Sequence, residues 1–344
     1  MKKLRVLVLT HESLVPPESL EGFTEQQVNE FRTEYDVTTV LRKAGHEVHV
    51  LGLYDNLADL RAAITSWKPD VAFNLLQEFQ GIITYDQHIV AYLELMRQPY
   101  TGCNPRGMLL SRAKVLSKQI LAWHRIPTPK FAIYRMGRPY RLSAKLKFPL
   151  FVKSATEDAS LGIAQASIVE DRARLKERID FIHESTRTDA LVEEYIEGRE
   201  LYVGVCGNER LTCFPVWEMD FGTLPDMNVG IATRKVKWDL KYQKKHGIRT
   251  GRAPGLSEAD HVRLGGLSKR IYRALHMSGY ARMDFRMRPD GSVFVLEANC
   301  NPNLAHAEDF AASAASEGVD YEALLQRIVR FGLGYGAEWR RNGD

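Results

Sequence analysis

The segment Arg282-Met283-Asp284-Phe285-Arg286-Met287-Arg288-Pro289-Asp290-Gly291-Ser292-Val293-Phe294-Val295-Leu296-Glu297-Ala298-Asn299, RMDFRMRPDGSVFVLEAN, reads as two β-forming runs around a Pro-Asp-Gly-Ser turn. Asp-Gly between such runs is among the strongest short-range hairpin signals, because both residues tolerate the positive φ of a tight turn. With Asp290 and Gly291 as the loop, Arg288 faces Val293, Arg286 faces Val295, Asp284 faces Glu297 and Arg282 faces Asn299. Two carboxylates then stand directly across the ladder, where like charges weaken pairing by roughly 0.2–1 kcal/mol. A divalent cation held between them turns that repulsion into attraction, and hard oxygen ligands suit Mg²⁺ in phosphate chemistry. Asn299, on the same face as Glu297 by the two-residue period, adds a neutral oxygen. The other reading is an exposed strand pair whose acids are neutralised by Arg282 and Arg286.

The hairpin sits in a chain of 344 residues, long enough for two or three domains with cores of their own. With 44% hydrophobic and 26% charged residues it falls among globular proteins, which excludes disordered and fibrous classes. A formal charge of +4 is too mild to argue for nucleic acid. The densest basic run, 234–252, lies in one loop region and suits a phosphate-bearing small molecule equally well. No stretch approaches the roughly 20 apolar residues of a membrane span. The apolar run near the N-terminus is too short for a signal-peptide core and reads as a first buried strand. Cys103, Cys206, Cys213 and Cys300 show no C-x-x-C pairing, so free thiols and a cytoplasmic setting are expected.

Strand and helix signals alternate through the first hundred residues. Strands are expected at 4–9, 47–53, 70–75 and 99–101, and helices at 24–44, 57–67 and 85–96. Thr24 with Gln27 fits a capping box and Gly45 a C-terminal stop. Such alternation implies a mainly parallel, doubly wound sheet, here without a glycine-rich dinucleotide fingerprint after the first strand. A long helix is expected at 106–125, stopped by Ile126-Pro127-Thr128-Pro129. An α+β region follows, with strands at 130–134, 148–154, 163–166 and 190–195 and a helix at 171–184. The last region has strands to 205 and at 214–218, an irregular basic stretch to 255, a helix at 257–276, the hairpin, and a helix at 321–331. The expected units are 1–105, 106–196 and 197–344.

Two further stretches carry chemistry. Lys153 ends the apolar strand 148–153, and Ser160-Leu161-Gly162 follows a small polar loop. A strand-exit lysine meets a phosphate oxygen as a point charge while backbone N–H groups of a Ser/Gly loop close over it; the alternative is a solvated lysine. In Leu191-Val192-Glu193-Glu194-Tyr195-Ile196-Glu197-Gly198-Arg199-Glu200, an apolar strand reverses at Gly198. Its main chain and Glu200 could serve an adenine edge and ribose hydroxyls, or form an acidic surface loop.

In their order and spacing these segments resemble the ATP-grasp superfamily, and within it the D-alanine-D-alanine ligase group. Tyr100-Thr101-Gly102-Cys103-Asn104-Pro105, Lys114, the Ile126 to Pro129 segment, Lys153, Ser160-Leu161-Gly162, Glu193 to Glu200, Arg282-x-Asp284 and Glu297-Ala298-Asn299-x-Asn301-Pro302 carry the match. The resemblance implies an ATP-grasp fold preceded by the doubly wound α/β domain. It also implies ATP as a substrate with Mg²⁺, Mn²⁺ being an alternative. Lys114 and Lys153 would hold ATP phosphates under a lid bearing Ser160 and Gly162. Glu193 and the main chain at Ile196 would take adenine and Glu200 ribose, with Asp284, Glu297 and Asn299 on the metal. Lys241 looks like the family's mobile-loop lysine that meets the γ-phosphate, and Arg282 would stabilise the oxyanion. The implied reaction joins a carboxylate to an amine through an acyl phosphate, with small-molecule or short-peptide substrates and a homodimer as a plausible assembly. The alternatives are a ligase that modifies peptide or protein tails and a regulatory ATP-binding protein without turnover.

The sequence departs from that group at three places. Leu75 to Ile82 lacks its His-Gly and Gly-Glu-Asp-Gly segment, and His11 and Glu12 replace a glycine-rich turn after the first strand. Asn303 to Asp309 puts Glu308 near where the group has a serine that receives the second substrate's carboxylate. A carboxylate beside a carboxylate is unfavourable, so the expected acceptor is an amine without a nearby acid group.

Overall fold

The computed structural model describes residues 2–155, 165–222, 236 and 239–341. β1 (Arg5–His11), β2 (Glu47–Leu53) and β3 (Val71–Asn74) form a parallel sheet in the order β2-β1-β3. β1 is the central strand, and Val6, Leu7, Val8 and Leu9 are all fully buried, as a near-continuous apolar run covered on both faces requires. Thr24 and Gln27 do form the capping box, and Gly45 ends the helical segment at φ +88°. The segment expected as one helix at 24–44 is two, Glu25–Glu30 and Arg32–Lys43, separated at Phe31 with φ −117°. The strand expected at 99–101 is a single bridge, Ala72 to Tyr100, fastened where the Thr101 N–H donates to the Ala72 carbonyl at 2.9 Å.

The helix expected at 106–125 is also two, Pro105–Arg112 and Lys114–Trp123, because Ala113 turns to ψ 79°. Met108 and Leu121 from this pair enter a core shared with Leu7 and Leu9 of the parallel sheet and with strands of the C-terminal half.

A second, antiparallel sheet holds β4 (Phe131–Tyr134), β5 (Leu150–Ser154), β6 (Ile168–Val169) and β7 (Ala190–Glu194), ordered β4-β7-β5-β6. Leu175, Ile179 and Ile182 of helix Arg172–Thr186 close its core against Leu150, Val152 and Val192. The strand expected at 163–166 lies partly outside the described residues, and its described end is the turn Gln165–Ser167.

The third sheet contains β8 (Arg199–Cys206), β9 (Thr212–Cys213), β10 (Trp217–Asp220), β11 (Arg249–Arg252), β12 (Tyr280–Met287) and β13 (Val293–Cys300). Its order is β11-β10-β8-β12-β13, with β9 on β8. The stretch expected to be irregular therefore includes β11 and the helix Leu240–His246, whose Asp239 cap accepts from the Tyr242 N–H. Helix Glu258–Ala274, started by a Ser257 capping box, packs Leu264 and Ile271 with Leu201 and Val203 of β8. Helix Asp309–Ala315 was not expected from the sequence, and helix Tyr321–Gly334 packs Leu324 and Ile328 with Val6 and Val8 of β1.

β12 and β13 pair as the hairpin. Arg282 faces Asn299 and Asp284 faces Glu297, as the turn signal predicts. Beyond Asp284 the register slips, so that Phe285 faces Val295, Arg286 faces Phe294 and Met287 faces Val293. The expected partners of Arg286 and Arg288 are thereby corrected: the turn spans 288–292 instead of two residues, closed by Arg288 N–H to the Ser292 carbonyl at 2.9 Å. Pro289 cannot donate a ladder bond, and the Asp290 carboxylate accepts the Ser292 N–H at 2.8 Å, which together widen the loop. Leu296 absorbs the difference as a β-bulge beside the two acids, a frequent device for re-aiming side chains at a site.

Candidate active site

β3, β5, β7, β8, β12, β13 and the segment after β13 converge on one cavity of about 790 Å³, within the size range of small-molecule sites. Two carboxylates anchor one part of it. Glu193, buried near the end of β7, is gripped by two buried lysines: Lys153 Nζ of β5 lies 2.9 Å from Oε2 and Lys118 Nζ pairs with Oε1. Burial alone would raise the Glu193 carboxyl, but the two cations outweigh it and hold it below the ordinary carboxylate range. Lys118 is pushed below the usual lysine range by burial first, with Lys153 adding to that and Glu193 opposing it. Its Nζ also donates to the Leu296 carbonyl at 3.2 Å, so the bulge residue is a partner of the buried charge cluster. Glu200 on β8 accepts from Tyr202 Oη at 2.7 Å and pairs with Arg286 at 2.7 Å. Of the two arginines that the alternative reading set against the hairpin acids, Arg282 does pair with Asp284, whereas Arg286 pairs with Glu200.

The hairpin acids form the second part. Arg282 clamps Asp284 bidentately, Nε to Oδ1 at 2.8 Å and Nη2 to Oδ2 at 2.9 Å, and Asn299 Nδ2 donates to Oδ2 at 3.0 Å. Asp284 outweighs the effect of burial on Arg282 and keeps its guanidinium protonated. Glu297 and Asn299 are half-buried and line the same cavity. Among the described residues no three His, Cys, Asp or Glu side chains converge as a ready-made metal set. The set is two carboxylates and an amide at neighbouring strand positions, hard oxygen donors of the type Mg²⁺ takes alongside phosphate oxygens.

Lys114, Lys153, Glu193, Ile196, Glu200, Arg282, Asp284, Glu297 and Asn299, all singled out on sequence, line this one cavity. Ser160 and Gly162 lie outside the described residues. Lys241 is exposed on helix Leu240–His246 and does not line the cavity, whereas Gln243 of the same helix does. Lys118 is the residue the sequence reading missed. It stands one helical turn beyond Lys114 on the buried stripe with Ser117 and Leu121, and a lysine on an apolar stripe was the available signal. Arg32 and Asn74, far away in sequence, also line the cavity and carried no local signal.

Residues 121–330 match the family model described as D-ala D-ala ligase C-terminus. The chain is 32% identical over 259 residues to an uncharacterized protein of Sinorhizobium fredii, covering 75% of this chain and 73% of that one. It is 30% identical over 297 residues to the D-alanine–D-alanine ligase of Desulfotalea psychrophila, covering 83% of this chain and 86% of the relative. The crystal structure of the D-alanine–D-alanine ligase from Bacillus anthracis complexed with ATP shares the fold, with a TM-score of 0.74 at 22% identity over 99% of this chain and 100% of that one. The matched segment carries Lys153, Glu193, Glu200 and the whole hairpin with its paired acids, while Arg32, Asn74 and Lys114 of the cavity precede it. The chain belongs to the D-alanine–D-alanine ligase family of the ATP-grasp superfamily.

Proposed function

We propose that the protein is an ATP-dependent carboxylate–amine ligase, joining the two through an acyl phosphate and releasing ADP and phosphate. The observation that carries this reading is one cavity lined by a lysine-bound carboxylate, Glu200, Asp284, Glu297, Asn299 and Arg282, the last clamped on Asp284. In the first step an oxygen of the substrate carboxylate attacks the γ-phosphorus and the bond to ADP breaks. In the second the amine attacks the acyl carbon, phosphate leaves and the amine loses a proton. Such transfers need positioning and charge neutralisation more than a protein nucleophile. Lys153 and Lys114 bring cationic groups to the nucleotide end, and Glu193 orients Lys153 and Lys118 while offering its own oxygens to a donor. Arg282 is fixed by Asp284 in one orientation, so its remaining N–H groups are aimed before an oxyanion develops. Asp284, Glu297 and Asn299 would hold Mg²⁺, which when bound would supply charge neutralisation at the phosphates.

The substrate pair is inferred to differ from two D-alanines. Glu308 and Asp309, adjacent in the segment after β13, both line the cavity. An incoming carboxylate meets like charge at that wall, which favours an acceptor amine without an adjacent acid. A phosphate-release assay over a panel of acids and amines, followed by product mass, tests both statements. Turnover with D-alanine as the best acceptor overturns the inferred pair, and ATP binding without phosphate release across the panel favours the regulatory reading.

A further inference from the structure

We propose that Arg32 binds a carboxylate that the substrate pair carries besides the one being activated, and that this contact selects the pair. The proposal rests on the ligase reading. Four arginines line the cavity. Arg112 is paired with Asp86, Arg282 with Asp284 and Arg286 with Glu200. Arg32 alone has no carboxylate partner among the described residues, yet it is held in place, its Nε donating to Asn29 Oδ1 at 2.8 Å. That bond spends one side of the guanidinium and leaves the Nη pair to face an anion as a fork.

Two acids of its own helix do not pair with it. Glu34, in the same helical turn, is buried, and burial raises its carboxyl to about 7. Asp36 accepts the His306 N–H at 3.0 Å. Arg32 is also the first residue of the helix Arg32–Lys43, and its cap, Phe31, provides no side-chain acceptor. A cation at a helix N-terminus opposes the helix dipole, and a bound anion relieves both charges. Next to it, Thr33 Oγ1 donates to Asn303 Oδ1 at 2.7 Å, tying this helix start to the segment that bears Glu308 and Asp309. The acidic wall and a guanidinium without a carboxylate partner among the described residues border the same cavity, and a carboxylate repelled from the first is attracted to the second.

The spare carboxylate could belong to the donor or to the acceptor, and kinetics separate the two. With the active pair found by phosphate release, Arg32→Gln is expected to raise the KM of one substrate by about 10–100-fold, with kcat within about threefold. Arg32→Lys should fall between variant and wild type, since a point charge keeps attraction but loses the fork. Converting the spare carboxylate of that same substrate to an amide should remove the difference between wild type and Arg32→Gln, and the substrate for which this happens is the source. Unchanged KM values for both substrates in a folded, active Arg32→Gln protein overturn the proposal and leave the ligase reading standing. Wild-type protein that releases no phosphate with any pair overturns both.

Discussion

Two acids placed face to face are stabilised here by unequal surroundings. Asp284 is buried and fully engaged by Arg282 and Asn299, while Glu297 is half-buried on the cavity wall. Replacing them therefore has different consequences. Glu297→Gln should cut phosphate release by at least about 100-fold by removing charge stabilisation at the phosphates, with the urea midpoint nearly unchanged. Asp284→Asn should lose as much activity and also destabilise the fold by about 1–2 kcal/mol, because Arg282, partly buried, is left without its carboxylate partner. Near-normal turnover in both variants would remove these residues from the site. The acids were expected opposite one another from a two-residue turn; the observed turn is longer, and the bulge at Leu296 restores that pairing. Lys118 was not read, although its partner Glu193 was, because the pairing joins positions 75 residues apart in the chain (193 − 118).

Helix starts were legible at the local caps Thr24 and Ser257, whereas the Asp239 cap of helix Leu240–His246 went unread. Helix breaks at Phe31 and Ala113 were not, since neither residue is a breaker and the kinks follow from packing. The bulge at Leu296 is equally non-local: Lys118 uses the Leu296 carbonyl and the Val295 N–H donates to the Pro127 carbonyl at 2.9 Å. The turn between β7 and β8 shows an element under tight constraint. Gly198 stands at φ +145°, its carbonyl accepts from Arg286 at 2.9 Å, and a Cβ there would run into the Met287 carbonyl oxygen. Gly198→Ala is thus expected to cost about 2 kcal/mol in urea unfolding and to raise the KM for ATP, because the turn carries Ile196 and leads into Glu200. An alanine variant with wild-type midpoint and KM would show that the turn tolerates displacement.

On the scale of the molecule, the parallel sheet and the C-terminal half share continuous cores, and Glu34 is a charge-bearing group within that union. It lies on helix Arg32–Lys43, whose Val37 and Leu41 pack in one core with Leu324 and Leu325 of helix Tyr321–Gly334. Its carboxyl is raised by burial to about 7 from an ordinary value of 4.5. The folded state therefore holds a proton that the unfolded chain releases between those values. The stability associated with neutral Glu34 is complete at low pH and lost as pH rises toward about 7 and beyond. At about 1.4 kcal/mol per unit this amounts to about 3 kcal/mol. Glu34→Gln should accordingly raise the melting temperature more at pH 8 than at pH 5, and an equal shift at the two values would show that Glu34 does not titrate on folding.

The sequence by itself determined the α/β start, the antiparallel hairpin with its opposed acids, the lysine at the exit of β5 and the family. These features are set by short-range periodicity, turn chemistry and fixed spacing. Only the tertiary structure decided that Glu193 is shared by two lysines, that Arg286 serves Glu200, and that Arg32 reaches the cavity with no carboxylate partner among the described residues. Each is a meeting of charges brought together by packing, and no local pattern encodes which buried partner a charge will find.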